Sequence, residues 1–346
     1  MAIGILALNS TKAGILSLKA GQPTLTKPKM SEKKIVILDA DTIDADRSIW
    51  SPLESLGRIE AYGNTRPEET AARIGDAWAV LTNKVPVSTH AMGHTPSLKY
   101  IGVLATGYNI VDIDAAHRLG ITVTNIPGYS TDSVAQLVFA LLLELTNHTG
   151  TYSQEIHAGR WERSPLFSFR ISPIVELAGL TMGIYGFGTI GRRVSEISRA
   201  FGMKVITPSN KTLPEGVEHV EPEEFWRRAD VISINAAFTP EQAGFVNART
   251  LAMMKPTAYL INTARGGFVD EQALADALNS GRLAGAGIDV LNQEPPRNGS
   301  PLIGARNCVI TPHVAWQSTE ALRRLVEIAI ANLKAFDCGR LLNVIS

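Results

Sequence analysis

Three polar residues, far apart in the chain, have the types needed to reduce or oxidise a small acid. Arg265, Glu294 and His313 each follow an apolar run that is typical of a strand. A guanidinium holds a carboxylate with its planar fork and polarises a neighbouring carbonyl. An imidazole supplies a proton near neutral pH, and an adjacent carboxylate fixes its tautomer and favours its protonated form. The set predicts an enzyme that moves a hydride to or from a small oxo- or hydroxy-acid.

A glycine motif upstream of these residues predicts where a dinucleotide binds. The spacing GxGxxG follows a short apolar strand and opens a helix, which is the context that the motif requires. In such a motif the first glycine permits a tight turn, the second lets the backbone approach the pyrophosphate, and the third lets helix and strand pack closely. The alternative is an ordinary glycine turn that binds no cofactor. The predicted cofactor contacts of this turn are Gly186, Phe187, Gly188, Thr189, Ile190 and Gly191.

The segment after the next strand bears on the choice between NAD and NADP. An acidic side chain there bonds the ribose 2′-hydroxyl, whereas a cation favours the 2′-phosphate. The segment has no acid, and Ser209, Asn210 and Lys211 offer hydrogen bonds and charge to a phosphate. We therefore expect NAD(P) with a preference for NADP(H), although dual use and a merely solvated Lys211 stay open. Thr263 and Asp289, which follow later strands, are also assigned to cofactor contacts.

The three polar residues are predicted to share one edge of a sheet. In open α/β sheets, ligands bind outside the carboxyl ends of the strands, and all three residues follow strand ends. Taken singly, each has an ordinary explanation as a surface arginine, a loop glutamate or a core histidine. Three of them at successive strand ends behind a dinucleotide motif favour a catalytic site formed by Arg265, Glu294 and His313.

The elements that must position these residues alternate between strand and helix. This pattern predicts an α/β fold with two doubly wound parallel-sheet (Rossmann-like) domains and a cleft between them. Two domains are predicted. Residues 31–129 plus 316–346 would form a discontinuous substrate (catalytic) domain, to which the amphipathic helix 319–336 returns. Residues 130–315 would form the dinucleotide-binding domain. Thr131–Ser133 suits a helix N-cap. The helix 134–145 that follows is apolar nearly all round, so it is predicted to be buried between the domains or against a second subunit.

Composition excludes several other classes of protein. The 346 residues carry 33 Lys plus Arg against 33 Asp plus Glu, so neither a nucleic-acid nor a membrane partner is expected. Only two cysteines occur, both expected to be buried thiols in a reducing cytoplasm. His90 and His94 lack a third ligand, and no metal is expected. Residues 1–30 resemble neither a signal nor a transit peptide and are predicted to be a disordered extension or to follow from a start codon assigned too early.

Beyond Met30 the chain resembles the D-isomer-specific 2-hydroxyacid dehydrogenase family. The glycine motif at 186–191 and the Arg, Glu and His positions named above match the family's own. Residues 125–136 (NIPGYSTDSVAQ), 159–161 (GRW) and 313–316 (HVAW) resemble its glycerate dehydrogenase/hydroxypyruvate reductase branch. The resemblance implies two α/β domains, a cleft between them and a homodimer. It also implies that the substrate carboxylate meets the backbone amides of Ala105, Thr106 and Gly107.

Two departures from the family concern the cofactor. Ser209 replaces the usual acid, and 236–239 reads AAFT where the family often has CPLT.

The expected activity is NAD(P)-dependent reduction of a small 2-oxo acid, with hydroxypyruvate to D-glycerate the best guess and glyoxylate also accepted. One alternative is a phosphoglycerate dehydrogenase-like enzyme, which needs further cations such as Lys84. Another is a nicotinamide-sensing corepressor-type binding protein of the same fold.

Overall fold

Two parallel β-sheets organise the part of the chain that the computed structural model describes, residues 33–43 and 48–345. The predicted extension at residues 1–30 lies outside the described residues. The first sheet comprises β1 (Lys34–Ile37), β2 (Arg58–Ala61), β3 (Ala79–Thr82), β4 (Tyr100–Val103) and β5 (Thr122–Thr124). The second comprises β6 (Thr181–Tyr185), β7 (Lys204–Thr207), β8 (Val217–His219), β9 (Val231–Ile234), β10 (Tyr259–Asn262), β11 (Gly285–Ile288) and β12 (Cys308–Ile310).

The strand order of each sheet confirms the predicted doubly wound α/β fold. The orders are β2-β1-β3-β4-β5 and β12-β11-β10-β9-β6-β7-β8, and the paired strands are parallel. The order reverses between β1 and β3 in the first sheet and between β6 and β9 in the second. Ligands of such sheets bind in the crevice at the reversal. The glycine motif follows β6, so it opens at that crevice.

Ten α-helices of the described chain connect or cover the strands. They are α1 (Thr70–Ile74), α2 (Thr89–Gly93), α3 (Ile113–Arg118), α4 (Thr131–Asn147), α5 (Thr149–His157), α6 (Thr189–Ala200), α7 (Pro222–Arg228), α8 (Ala248–Met253), α9 (Glu271–Asn279) and α10 (Thr319–Asp337). Short 3-10 segments lie at Ala40–Thr42, Ser48–Ser55, Pro67–Glu69, Pro240–Gln242 and Gly266–Phe268. In this described part, no helix combines the length and the hydropathy needed to cross a membrane.

Helix α10 packs with the first sheet although it follows the second in sequence. Leu325 and Leu333 of α10 share a buried cluster with Ile35, Leu81 and Tyr100 of the first sheet. The chain therefore crosses between the two sheets twice, once before α4 and once before α10. Both crossings fall near the predicted boundaries at 129/130 and 315/316, and we retain those boundaries as a proposal.

Helix α4 is buried on one side and exposed on the other in the single chain. Asp132, Gln136 and Ala140 form an exposed stripe along it, while its other faces pack on α6, β10 and β11. The predicted packing of part of this helix on a second subunit stays a prediction. The stripe, Phe139 of the same helix and Ile197 of the adjoining α6 line an open groove of about 360 Å³.

Two further expectations are corrected by the structure. Ser130, rather than the 131–133 segment, is the N-cap of α4, and it makes no side-chain capping bond. Ser133 Oγ instead donates to Ala315 O at 2.6 Å and accepts from Ser318 N at 3.4 Å, so it ties the two crossings together. Of the two thiols expected to be buried, Cys338 is exposed, because it caps the end of α10.

Candidate active site

The glycine turn after β6 has the shape that a dinucleotide needs. Gly186 has φ +92°, and a Cβ there would overlap the backbone of Ala236 on the loop after β9. A Cβ on Gly191 would overlap the carbonyl oxygen of Gly186, so helix and turn pack in direct contact. A Cβ on Gly188, by contrast, would meet nothing within 4 Å. Packing therefore requires the first and third glycines, while the second faces open space at the start of α6.

Unsatisfied polar groups surround that open space. Helix α6 has Gly188 as N-cap without a side-chain cap, and its first backbone bond runs from Arg192 N to Gly188 O. Within the described chain, the N–H groups of residues 189–191 have no protein acceptor, and such N–H groups bind phosphate. Thr263 Oγ1, buried just beyond β10, also has no partner there. These observations fit a dinucleotide, although the Phe187 side chain is buried and only its backbone can take part.

The loop after β7 holds the residues expected near the ribose. Ser209 Oγ accepts from Lys211 N at 3.3 Å, and Asn210 Oδ1 is 3.1 Å from His219 Nε2. The Lys211 side chain is exposed and has no carboxylate partner in the described part of the chain. Arg192, which sequence reasoning missed, reaches the same loop, because Nη2 donates to Thr212 O at 2.8 Å. Its only sequence signal is its position directly after the third glycine of the motif.

A tight turn after β10 presents Arg265. The buried Asn262 side chain organises this turn: its Nδ2 donates to Arg265 O at 2.8 Å, and its Oδ1 accepts from Ala264 N at 3.1 Å. A Cβ on Gly266 would overlap the backbone of Leu291, so the turn packs directly on the loop that carries Glu294. The Arg265 side chain is exposed, and no carboxylate within the described residues pairs with it.

The structure brings Glu294 and His313 together. His313 Nδ1 lies 2.6 Å from Glu294 Oε2, and Glu294 Oε1 accepts from Leu291 N at 2.9 Å. Burial by itself would raise the pKa of Glu294, but the hydrogen bond and charge of His313 and the Leu291 N–H hold that pKa below its usual value. An ionised carboxylate on Nδ1 leaves Nε2 of His313 for a reacting group.

Asp289 acts on this pair through the backbone. Its oxygens accept from Thr311 Oγ1 at 2.7 Å, Val314 N at 2.9 Å and Ala315 N at 3.0 Å. His313 N also donates to Asp289 O at 2.8 Å, which helps hold His313 at φ +56°. Asp289 is 1% exposed, so its carboxylate faces the His313 turn instead of open space. The predicted contact between Asp289 and the cofactor stays a prediction.

The loop after β4 faces Arg265 across the cleft. A Cβ on Gly107 would stand 2.5 Å from Arg265 Nη2, so the guanidinium packs directly on this glycine and would have to shift for a larger residue. Thr106 Oγ1 donates to Ile126 O at 2.8 Å, while Thr106 O accepts from Asn125 Nδ2 at 2.8 Å. In the described chain, the N–H groups of residues 105–107 have no protein acceptor. Arg265 Nη1 donates to Ala264 O at 2.7 Å, and the guanidinium has no carboxylate partner among the described residues. Free N–H groups beside such a guanidinium form an anion site.

The described side chains around these turns can bind an anion and transfer a proton. Among the described residues, no three His, Cys, Asp or Glu side chains stand close enough to hold a metal ion. His90 and His94 contact each other ring to ring, with centroids 4.2 Å apart. What the geometry offers is an unpaired cation, free N–H groups and an imidazole–carboxylate pair beside a dinucleotide turn.

Comparison with known proteins agrees with this chemistry. A family model described as D-isomer specific 2-hydroxyacid dehydrogenase, NAD binding domain, matches residues 139–315. The hydroxypyruvate reductase of Blautia hydrogenotrophica is 42% identical over 320 residues, which are 90% of this chain and 99% of that protein. The glycerate dehydrogenase of Methylorubrum extorquens is 39% identical, again over 90% and 99%.

Solved structures share the same architecture. A protein from Thermus thermophilus superposes with a TM-score of 0.83 at 32% identity, over 90% of this chain and 100% of that one. An acyclic imino acid reductase, crystallised with NADPH and D-Arg, superposes with a TM-score of 0.80 at 29% identity, over the same shares.

Proposed function

This chain belongs to the D-isomer-specific 2-hydroxyacid dehydrogenase family, and we propose that it reduces hydroxypyruvate to D-glycerate and glyoxylate to glycolate. It is an oxidoreductase of the CH–OH group with a nicotinamide cofactor. The observation that carries the proposal is the position of Arg265 against Gly107, with the His313–Glu294 pair at the same sheet edge. The hydroxypyruvate reductase and glycerate dehydrogenase relatives, which this chain matches over 90% of its length, support the choice of substrate.

Arg265 and the loop at 105–107 are proposed to bind the substrate carboxylate from opposite sides. The guanidinium offers a planar pair of donors, and the backbone N–H groups offer fixed dipoles that require no reorganisation. The same guanidinium polarises the C2 carbonyl. Because the two groups belong to different sheets, substrate is held only while the two sides of the cleft stay together. Closure of the cleft would also exclude water.

His313 is proposed to hold and deliver the proton. When bound, the nicotinamide supplies the hydride for the carbonyl carbon or accepts it in the reverse direction. His313 Nε2 gives a proton to the developing alkoxide during reduction, and it takes one from the hydroxyl during oxidation. Glu294 orients the imidazole through the 2.6 Å contact with Nδ1 and fixes which nitrogen faces the substrate. Asp289 positions the turn on which this depends.

The experiment that tests the function is an assay across acids with both reduced cofactors. We expect hydroxypyruvate to give the highest kcat/KM, glyoxylate a lower one, and 3-phosphohydroxypyruvate little turnover. A preference for the phosphorylated acid would favour the phosphoglycerate dehydrogenase-like alternative. Cofactor binding without turnover of any 2-oxo acid would favour the corepressor-type binding protein instead. Purified protein and absorbance at the nicotinamide band suffice for these comparisons.

We propose that the enzyme prefers NADP(H), because residues 207–211, at the end of β7, carry Lys211 and no acid. Removing the charge of Lys211 by Lys211→Ala is expected to raise KM for NADPH about 10-fold, the scale of one charge-assisted hydrogen bond, and to leave KM for NADH nearly unchanged. The matched control is Lys204→Ala, at an exposed site on the preceding strand. A wild-type enzyme that favours NADH regardless of Lys211 would refute the preference. NADPH in the related imino acid reductase structure supports it.

We also propose that the enzyme is a cytoplasmic homodimer. Support for the dimer comes from exposed apolar side chains after α5, where Phe167 is 94% exposed and Leu166 65%, and from the groove along α4. Apolar patches of this kind mark protein interfaces. Light scattering on the purified enzyme is expected to give twice the 37.3 kDa chain mass. A monomer mass that persists at high protein concentration would contradict the dimer.

A further inference from the structure

The cleft contains a second cation, Lys84, on a loop whose backbone is held by a buried acid. Asp39, at the end of β1, is 0% exposed and accepts from Lys84 N at 2.6 Å, Asn83 N at 2.9 Å and Val85 N at 3.2 Å. Asn83 Nδ2 also donates to Thr42 Oγ1 at 3.0 Å. A buried carboxylate is costly unless it is fully hydrogen-bonded, and here its bonds go to three successive backbone N–H groups. The loop is therefore rigid at the point where Lys84 leaves it.

The Lys84 side chain extends to the wall that carries His313. Its Nζ lies 5.4 Å from the centre of the Trp316 ring, three residues beyond His313. No carboxylate among the described residues lies within ion-pair distance of it. Desolvation by the surrounding protein lowers the pKa of Lys84, and the positive charge of Arg265 lowers it further. The negative charges of Glu294 and Asp39 raise it. Lys84 thus stands within electrostatic reach of both Arg265 and Glu294, and it remains accessible to solvent.

An unpaired ammonium in a closing cleft needs an acceptor from the substrate. The proposed function already assigns the carboxylate and the C2 oxygen to Arg265, the 105–107 loop and His313. The group that remains is the substituent on the third carbon. A methyl group there would strip water from the ammonium and return no hydrogen bond, whereas an oxygen would accept one.

We propose that Lys84 is a substrate-binding residue that recognises an oxygen-bearing substituent on the third carbon of the 2-oxo acid. This inference rests on the proposed function. The face of Trp316 holds the ammonium from one side by a cation–π contact, and the bonds of Asp39 fix the loop from the other. Lys84 thereby distinguishes hydroxypyruvate from pyruvate, which has a methyl group at that position, and from glyoxylate, which has no third carbon.

Steady-state kinetics on Lys84→Met test the proposal. Methionine keeps an unbranched stem against Trp316 and removes the charge. We expect kcat/KM for hydroxypyruvate to fall about 10- to 100-fold, the scale of one hydrogen bond to a charged group. Glyoxylate should change by less than about 3-fold, and pyruvate should not fall. Lys84→Arg should recover part of the loss, and Lys99→Met, at an exposed lysine just before β4, is the control.

Two outcomes overturn the proposal: equal losses on glyoxylate and hydroxypyruvate, or no loss on either. Binding of product analogues gives a second readout that does not need turnover. With oxidised cofactor present, calorimetry should show tartronate, whose third carbon is a second carboxylate, binding about 10-fold more weakly to Lys84→Met. Glycolate, which has no third carbon, should bind as before. If the wild type reduces neither acid, the proposed function fails, and an unchanged affinity for tartronate would then reject Lys84 separately.

Discussion

His313→Asn is expected to lower kcat by about 10²- to 10⁴-fold, the range that one general acid–base residue contributes. Asparagine is the matched replacement because residue 313 has φ +56°, a conformation that asparagine adopts more readily than alanine. The variant keeps the backbone bonds around Asp289, but its side-chain amide cannot deliver a proton as an imidazole does. Stopped-flow measurement of a single turnover gives the rate of the chemical step without interference from product release.

Cofactor binding serves as the control for this variant, since His313 is not assigned to the dinucleotide. The dissociation constant for the reduced cofactor should stay within about 3-fold of wild type, and a kcat within about 5-fold would reject the assignment. Glu294→Gln tests the pair from the other side. Glutamine cannot offer the carboxylate that lies 2.6 Å from His313 Nδ1, so kcat should fall about 10-fold or more while the dissociation constant for the reduced cofactor stays unchanged. A kcat equal to that of wild type would show that Glu294 does not act through His313.

Arg265→Met should lower kcat/KM for hydroxypyruvate several-hundred-fold, mainly through KM. Two charge-assisted hydrogen bonds to a carboxylate are worth about 3 to 4 kcal/mol, which corresponds to roughly 10²- to 10³-fold. The guanidinium has no carboxylate partner in the described chain, so its charge is available to substrate. Because Arg265 is also proposed to polarise the carbonyl, kcat should fall as well. Steady-state rates over a wide range of substrate concentration separate the two effects.

A lysine variant separates charge from shape at this position. The substitution Arg265→Lys keeps the positive charge and loses the planar fork, so it should recover less than half of the lost binding free energy. Arg306→Met, at an exposed arginine just before β12 of the same sheet, should behave as wild type. If Arg265→Met changes KM no more than Arg306→Met does, the carboxylate is held elsewhere in the cleft.

Local sequence patterns predicted the alternation of strands and helices. The apolar runs before the glycine motif and before Arg265 indicated strands, and β6 and β10 lie there, because a strand buried on both faces requires continuous apolar side chains. The glycine motif was readable because each of its constraints involves only a few neighbouring residues. The failures came where a position faced a surface that is distant in sequence. Ser133 counted as a cap although it bonds the chain near residue 315.

The sequence by itself determined the alternation of strands and helices, the dinucleotide turn and the three polar residues at strand ends. Only the tertiary structure decided that Gly107 admits Arg265, that Asp289 holds the His313 turn and that Lys84 reaches Trp316. The physical reason is the distance along the chain over which each interaction acts. Backbone sterics and periodic burial act over a few residues and are written in local sequence. A contact between two sheets depends on how both pack, which no single segment of the chain encodes.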